Sequence, residues 1–176
     1  MAAPITPTKK LSNGKDHIWL VTTLSSTTAP TKTQIDAGLN VTGVLLADWD
    51  GITASTSKVT LPRVMLETAT TEVSGETSIT AADMQLTYQP QAAAASDGVR
   101  AFELLSAGFV GYLVRRQDVA NLASDAVTVG QFVDVFSIDV AAGSVVPGKT
   151  TAGPEGIYIA TVPVSITATS YRKAVV

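Results

Sequence analysis

The chain contains no cysteine and a single histidine, His17. Without cysteine there is no disulfide framework, no thiolate metal site and no cysteine nucleophile, and the sequence carries no mark of its redox compartment. A Ser-His-Asp triad would have to use His17, which lies in "NGKDHIWL" at the edge of the first expected strand, next to a segment that looks like an arm. A partly exposed strand-edge histidine is expected there, and with no nucleophile, base and orienting group to assemble, an enzyme is not expected. No Gly-rich phosphate loop and no histidine cluster is present, so no cofactor or metal is implied. Long apolar runs are missing too. None approaches the roughly 20 residues needed to span a bilayer, and "MAAPITPTKKLSNGKDH" lacks the apolar stretch of a signal peptide. The expectation is a chain made in a cytoplasm, with no membrane insertion.

What is present is β-branched. In 176 residues, 45% of them hydrophobic, there are 24 Thr and 21 Val against 8 Pro. Branched side chains lose χ1 freedom in a helix and fit a pleated, half-buried surface, so mostly β is the expected class. The length suits one domain with a real core. The net charge of -3 is unevenly spread. Residues 1–32 hold Lys9, Lys10, Lys15 and Lys32 against Asp16, a balance of +3; residues 33–99 hold eight acids against Lys58 and Arg63, a balance of -6; the remainder sums to zero. A basic arm and an acidic middle can attract one another between copies, although a solvated tail and face explain the same pattern.

Along the chain, residues 1–16 are rich in Pro, Lys and turn residues and read as an extended N-terminal arm. "IWLVTTL" is a first strand, and "TQIDAG" a short helical turn that Thr33 can cap and Gly38 can end. "LNVTGVLL" is a strand, and "ADWDGI" a turn. "ITASTSKVTL" is a strand exposed on one side, which Pro62 stops. From there to Ala82 the pattern is mixed and reads as a long loop, a length that in a small domain marks function or disorder. "MQLTYQ" alternates with Met84, Leu86 and Tyr88 inward. A helix follows, capped by Ser96 or Asp97, with Val99, Phe102 and Leu105 on one face and Gly108 breaking it. Phe109 to Val114 is apolar enough for a central strand covered on both faces. "FVDVFSIDV" sets Phe132, Phe136, Ile138 and Val140 on one face, interrupted by Asp134, with Ser137 and Asp139 opposite. Ile157 to Ala168 is the longest alternation, with Pro163 arguing for an edge or a bulge. One main helix covers one face of a sheet, so the architecture is a β-sandwich or barrel of two sheets flanked by one α-helix, a single domain over 17–170 with a long loop at 62–82 and a C-terminal tail at 171–176.

The constellations that could carry chemistry are weak. "DWDG" at Asp48 to Gly51 lacks the later ligands of a calcium loop. Glu72 and Glu76 flank a turn and read as a solvated loop rather than an acid and base. "NVT" at Asn40 fits a glycosylation acceptor with no sign of secretion. Arg115 and Arg116 end an apolar strand, where capping at the water boundary is favoured over a nucleic-acid patch, since no stacking aromatics accompany them.

The order "TKTQIDAG", "DWDGITASTSKVTLPRV", a long loop, "MQLTYQPQ", "SDGVRAFELLSAGFVGYLVRR", "FVDVFSIDV" and a final long strand resembles the major tail tube proteins of long, non-contractile bacteriophage tails, the siphophage type found in phages of actinobacteria. The resemblance covers roughly Thr33 to Ala168. Its most specific parts are the T-x-x-x-x-x-A-G helix at Thr31 to Gly38, the helix-into-apolar-strand unit, and the V-D-V-F-x-I-x-V strand.

The resemblance implies a structural virion protein whose copies form hexameric rings stacked into a hollow tube, the conduit for DNA ejection into the host. The partners it implies are the chain itself and the tape-measure, tail-tip and tail-terminator proteins, with DNA passing without specific binding. An inner tube of a contractile tail stays open as an alternative. The self-assembly candidates are Lys9, Lys10 and Lys15 of the arm, Arg63, Val64, Met65, Leu66, Glu67, Glu72 and Glu76 of the expected loop, and Arg172 and Lys173 near the C-terminus. The candidates for the lumen wall are Thr53, Ser55, Ser57, Ser137 and Asp139, small polar or acidic groups that give phosphates no purchase. The alternative from another class is a monomeric β-sandwich module binding carbohydrate or acting as an adhesin on a phage or cell surface. Trp19 and Trp49 lie on or beside apolar strands and are expected in the core rather than on a sugar platform.

Overall fold

Alternation along one strand sorts its side chains onto two faces, and in this chain both faces of the main sheet bury apolar groups. The computed structural model describes residues 15–46, 49, 51–62, 69, 71–94, 96–117, 126–151 and 156–176. Ten strands and two helices follow in the order β1 His17–Val21, α1 Lys32–Asp36, β2 Leu39–Asn40, β3 Ile52–Thr60, β4 Glu72–Ala81, β5 Met84–Thr87, α2 Asp97–Ser106, β6 Phe109–Arg116, β7 Phe132–Val140, β8 Val146–Lys149, β9 Tyr158–Val162 and β10 Ser165–Ala174. They form a five-stranded sheet in the order β10-β7-β6-β1-β2, a three-stranded sheet β5-β9-β8 and a two-stranded ribbon β3-β4. All the pairings are antiparallel. The expected mostly β class with a main flanking helix is the one the chain adopts.

The first core lies between the five-stranded sheet, the three-stranded sheet and α2. Ile18, Leu20, Phe109, Leu113, Phe136, Ile138 and Val140 meet Met84, Leu86, Ala160 and Val162 from the facing sheet and Ala101 and Leu105 from α2. The helix starts after Ser96, whose extended backbone ends the preceding turn, and stops where Gly108 takes a φ of +93 that other residues avoid. Its buried stripe is Gly98, Ala101 and Leu105, while Phe102 stacks on Tyr88.

The opposite face of the same sheet carries a second core. Trp19, Val21, Val114, Val133 and Val135 pack with Ile35 of α1, Val127 and Val175. The expected single apolar face on "FVDVFSIDV" is therefore incomplete. Val133 and Val135 are buried on the other side, and Phe132 is half exposed. Beyond Val135 that face turns polar, so β6 is covered on both sides only at one end; Val110, near its other end, is 77% exposed. The T-x-x-x-x-x-A-G segment does fold as a helix, but Thr31 rather than Thr33 caps it, its hydroxyl accepting from the Gln34 N–H.

Around the second core the basic end of β6 is buried rather than at the water boundary. Arg116 is 1% exposed; its Nη1 donates to Ala126 O at 3.0 Å and to Gln131 Oε1 at 3.1 Å, and its guanidinium lies over the Trp19 ring. His17, expected to be partly exposed, is likewise 1% exposed and stacked on Trp19. The physical reason is the second core itself, which an alternation read as one-sided hides. Asp36 accepts the Val127 N–H at 3.0 Å and pairs with Lys32. Burial works against its ionisation, yet the Lys32 and Val127 hydrogen bonds and the charges of Lys32 and Arg116 together hold its pKa below the usual value. A lowered carboxylate pKa gives stability that is present above the unfolded value and lost as pH falls through the folded one. Thermal melts of the chain are therefore expected to fall toward acid through that window, and Asp36→Asn is expected to melt lower at pH 7 and to show a shallower acid limb.

Three expected boundaries are corrected. The long loop at 62–82 contains β4, a ten-residue strand. It was hidden because "EVSGETSITA" covers no core and so has no apolar period. The single long strand from Ile157 to Ala168 is two strands, β9 and β10, because at Pro163 the chain leaves the three-stranded sheet for the five-stranded one. The expected tail at 171–176 is not a tail. β10 runs to Ala174, Val175 is buried, and the Val175 N–H donates to Gln131 O.

Candidate assembly surfaces

The β3-β4 ribbon has almost no core. Its nine and ten residues form an antiparallel pair running, at about 3.3 Å per residue, roughly 30 Å, and nearly every side chain is exposed. Its root is held by Ile52 and Trp49, which pack against the first core, by Trp49 Nε1, which donates to Ala82 O at 3.0 Å, and by the Ala82 N–H, which donates to Gly51 O; β4 also runs close to β10. Two-stranded ribbons in water are marginal by themselves.

The register gives the ribbon two unlike faces. Thr53 pairs with Thr80 and Ser55 with Ser78, so those four hydroxyl side chains and Ser57 share one face. The other face runs Ile52 and Ala81, Ala54 and Ile79, then Thr56 and Thr77, which share a hydroxyl hydrogen bond at 2.9 Å. Three residues of β4 span two of β3 between the Thr56 and Lys58 pairs, and Gly75 falls in that bulge. A Cβ at Gly75 would stand 2.4 Å from Ser57 Oγ, so a larger residue there requires the Ser57 hydroxyl to turn away. Because Ile52 turns to the first core, Thr53, Ser55 and Ser57 point away from it. Ser137 and Asp139 alternate with the buried Phe136 and Ile138 and point away from that core as well.

Edges of the sheets differ in how they are protected. β2 is two residues long, and β8 carries Pro147, which cannot donate to a further strand. The outer edges of β3, β4 and the ten-residue β10 have no partner strand among the described residues. β10 carries two register shifts, and Arg172 there has a φ of +49, its N–H donating to Asp134 Oδ1 at 2.9 Å. Asp134, the residue that interrupts an apolar face in the sequence, thus joins β10 to Arg115 Nη2 at 3.0 Å in a half-buried ion pair. The Arg172 guanidinium stands over the exposed Phe132 ring and Tyr171 meets Phe136 edge-on. Lys58 and Glu72 pair at 3.6 Å in full solvent, which adds little.

The sequence candidates fall into separate places. Glu72 and Glu76 lie on β4, Arg172 and Lys173 on β10, and Lys15 just before β1. Lys9, Lys10, Arg63, Val64, Met65, Leu66 and Glu67 lie outside the described residues. Thr53, Ser55 and Ser57 share one face of β3, and Ser137 and Asp139 one face of β7. Sequence reasoning missed Thr77, Ser78 and Thr80, which the ribbon register pairs with β3; the Thr- and Ser-rich composition of both segments was the available signal. Among the described residues no three His, Asp or Glu side chains gather as a metal site, and no helix is long and apolar enough to cross a membrane.

Among the described residues the chain thus shows a bare strand ribbon and open strand edges, and no cluster of metal-ligating groups. None of the curated proteins matches this sequence. The phage tail tube protein family matches it over residues 3–176, so the chain belongs to that family and is a structural protein of the phage tail tube.

Proposed function

We propose that copies of this chain assemble into hexameric rings stacked as the hollow tube of a long phage tail, through which DNA passes into the host. The observation that carries the reading is the exposed β3-β4 ribbon, whose two outer backbone edges have no partner strand among the described residues. A heterologous contact between the ribbon of one copy and an open edge such as β10 of the next closes a ring and removes both edges. Ring number and the tape-measure, tail-tip and tail-terminator partners come from the family resemblance. Sedimentation of the purified chain across a concentration series tests the assembly step: large particles growing with concentration are expected, and their loss when the ribbon is shortened.

On this reading Thr53, Ser55, Ser57, Ser137 and Asp139 face the bore. On each strand they lie on the face opposite the residues that pack into the first core, which supports it. A wall of hydroxyls and sparse carboxylates gives a passing phosphate backbone no cation to bind. Ser55→Lys together with Ser57→Lys is expected to leave tubes intact and to slow genome release in low salt, with the delay shrinking as salt rises. Unchanged release kinetics at every salt concentration would place these residues elsewhere.

The self-assembly candidates Glu72, Glu76, Arg172 and Lys173 lie on the ribbon and on β10, the elements this reading uses. The alternative of a monomeric carbohydrate-binding module has no specific support: Trp19 is buried and Trp49 packs on the first core.

A further inference from the structure

We propose that the groove between the first turn of α2 and the adjoining ends of β5 and β9 receives the N-terminal segment of a second copy of this chain. The inference rests on the assembly reading and gives it a second contact.

The groove is an open cavity of about 520 Å³, within the range of roughly 300–1,000 Å³ that suits specific ligands. Gly98 makes it. A Cβ at that position would lie 2.6 Å from Thr87 O, so glycine lets the first turn of α2 sit directly on the end of β5. Tyr88 forms one wall, held flat against Phe102 with ring centroids 4.7 Å apart and planes 1° from parallel. Ile157 and Tyr158 form the other, and both stay about half exposed, with Lys149 Nζ over the Tyr158 ring. Asp97 and Gln89 stand exposed on the rim.

Two tyrosines and an exposed isoleucine with a carboxylate at the rim are the composition of grooves that take proline-rich strands. The sequence ahead of Lys15 supplies such a strand: Pro4-Ile5-Thr6-Pro7, followed by Lys9 and Lys10. Each proline fixes φ near -65°, which favours the polyproline II form and lowers the ordering cost of binding. The lysines then compete with the exposed Arg100, 3.6 Å away, for Asp97, consistent with the basic arm and acidic middle of the chain. A second copy is the better donor. The segment leaves the five-stranded sheet at His17, next to the second core, whereas the groove lies beyond the first core, so a neighbouring copy meets it without the chain folding back over its own sheet.

The test is zero-length carbodiimide cross-linking of particles assembled from an equal mixture of isotopically light and heavy full-length chain, with the same sample imaged by electron microscopy. Mixed-isotope links from Lys9 or Lys10 to Asp97 are expected. They should fall at least about tenfold in Tyr158→Ala, which removes one exposed aromatic anchor, and in the Pro4→Ala, Pro7→Ala double variant. Same-isotope links alone would assign the groove to the chain's own segment and overturn the proposal. Rings or tubes without any such link would overturn it and leave the assembly reading standing; a sample with neither links nor assemblies would overturn both.

Discussion

Arg116→Met is expected to lower folding stability by about 3 kcal/mol, from two lost hydrogen bonds to a charged donor inside the second core. Methionine keeps much of the volume over Trp19 but cannot donate. Ala126 O and Gln131 Oε1 then lose their Nη1 partner, although Gln131 Oε1 keeps the Thr128 N–H at 3.0 Å. The consequences spread because the same small region holds α1, through Asp36 and the Val127 N–H, and the end of β10, through Val175 and Gln131. At about 2–4 °C per kcal/mol for a domain of this size, the melting temperature should drop by roughly 6–12 °C. Arg100→Met is the control: Arg100 lies exposed on α2 beside Asp97, and its loss should stay within about 0.5 kcal/mol. Equal melting curves for the two variants would show that Arg116 contributes no more than a surface cation.

The second large effect is on assembly and leaves the fold alone. Thr53 and Thr80 are a cross-strand pair, so joining them by Asn-Gly in place of residues 54–79 closes a two-residue hairpin turn at the ribbon root. Trp49 and Ile52 keep their places against the first core, and none of the described core residues is removed. The shortened chain should melt within about 1 kcal/mol of the parent, since exposed polar residues contribute little to stability. Its assembly should fail. A strand edge of nine or ten residues offers about five inter-chain ladder bonds at about 1 kcal/mol net each, so losing one edge weakens an interface by roughly three to four powers of ten. A shortened chain that still built tubes at the parent's concentration would remove the ribbon from the interface.

Legibility from the sequence followed burial. Met84, Leu86, Phe136, Ile138 and Val140 alternate toward one dry core, and their strands could be read directly. The α2 stripe was visible for the same reason, with Gly108 marking its end. Val133, Val135 and Arg116 were misjudged because β7 and β6 bury one face toward one end and the opposite face toward the other, a pattern with no single period. β4 was invisible because a ribbon that covers nothing has no reason to alternate. Of the candidate residues, Thr53, Ser55, Ser57, Ser137 and Asp139 were picked by composition alone, and only the strand structure shows that the first three share one face of β3 and the last two one face of β7.

The most direct measurement is electron microscopy of the purified full-length chain across a concentration series, with and without a tail-tip assembly as initiator. Hollow tubes with six-fold end views are the expected result, forming at lower concentration when the initiator is present. Monodisperse single copies under both conditions, at every concentration, would contradict the account.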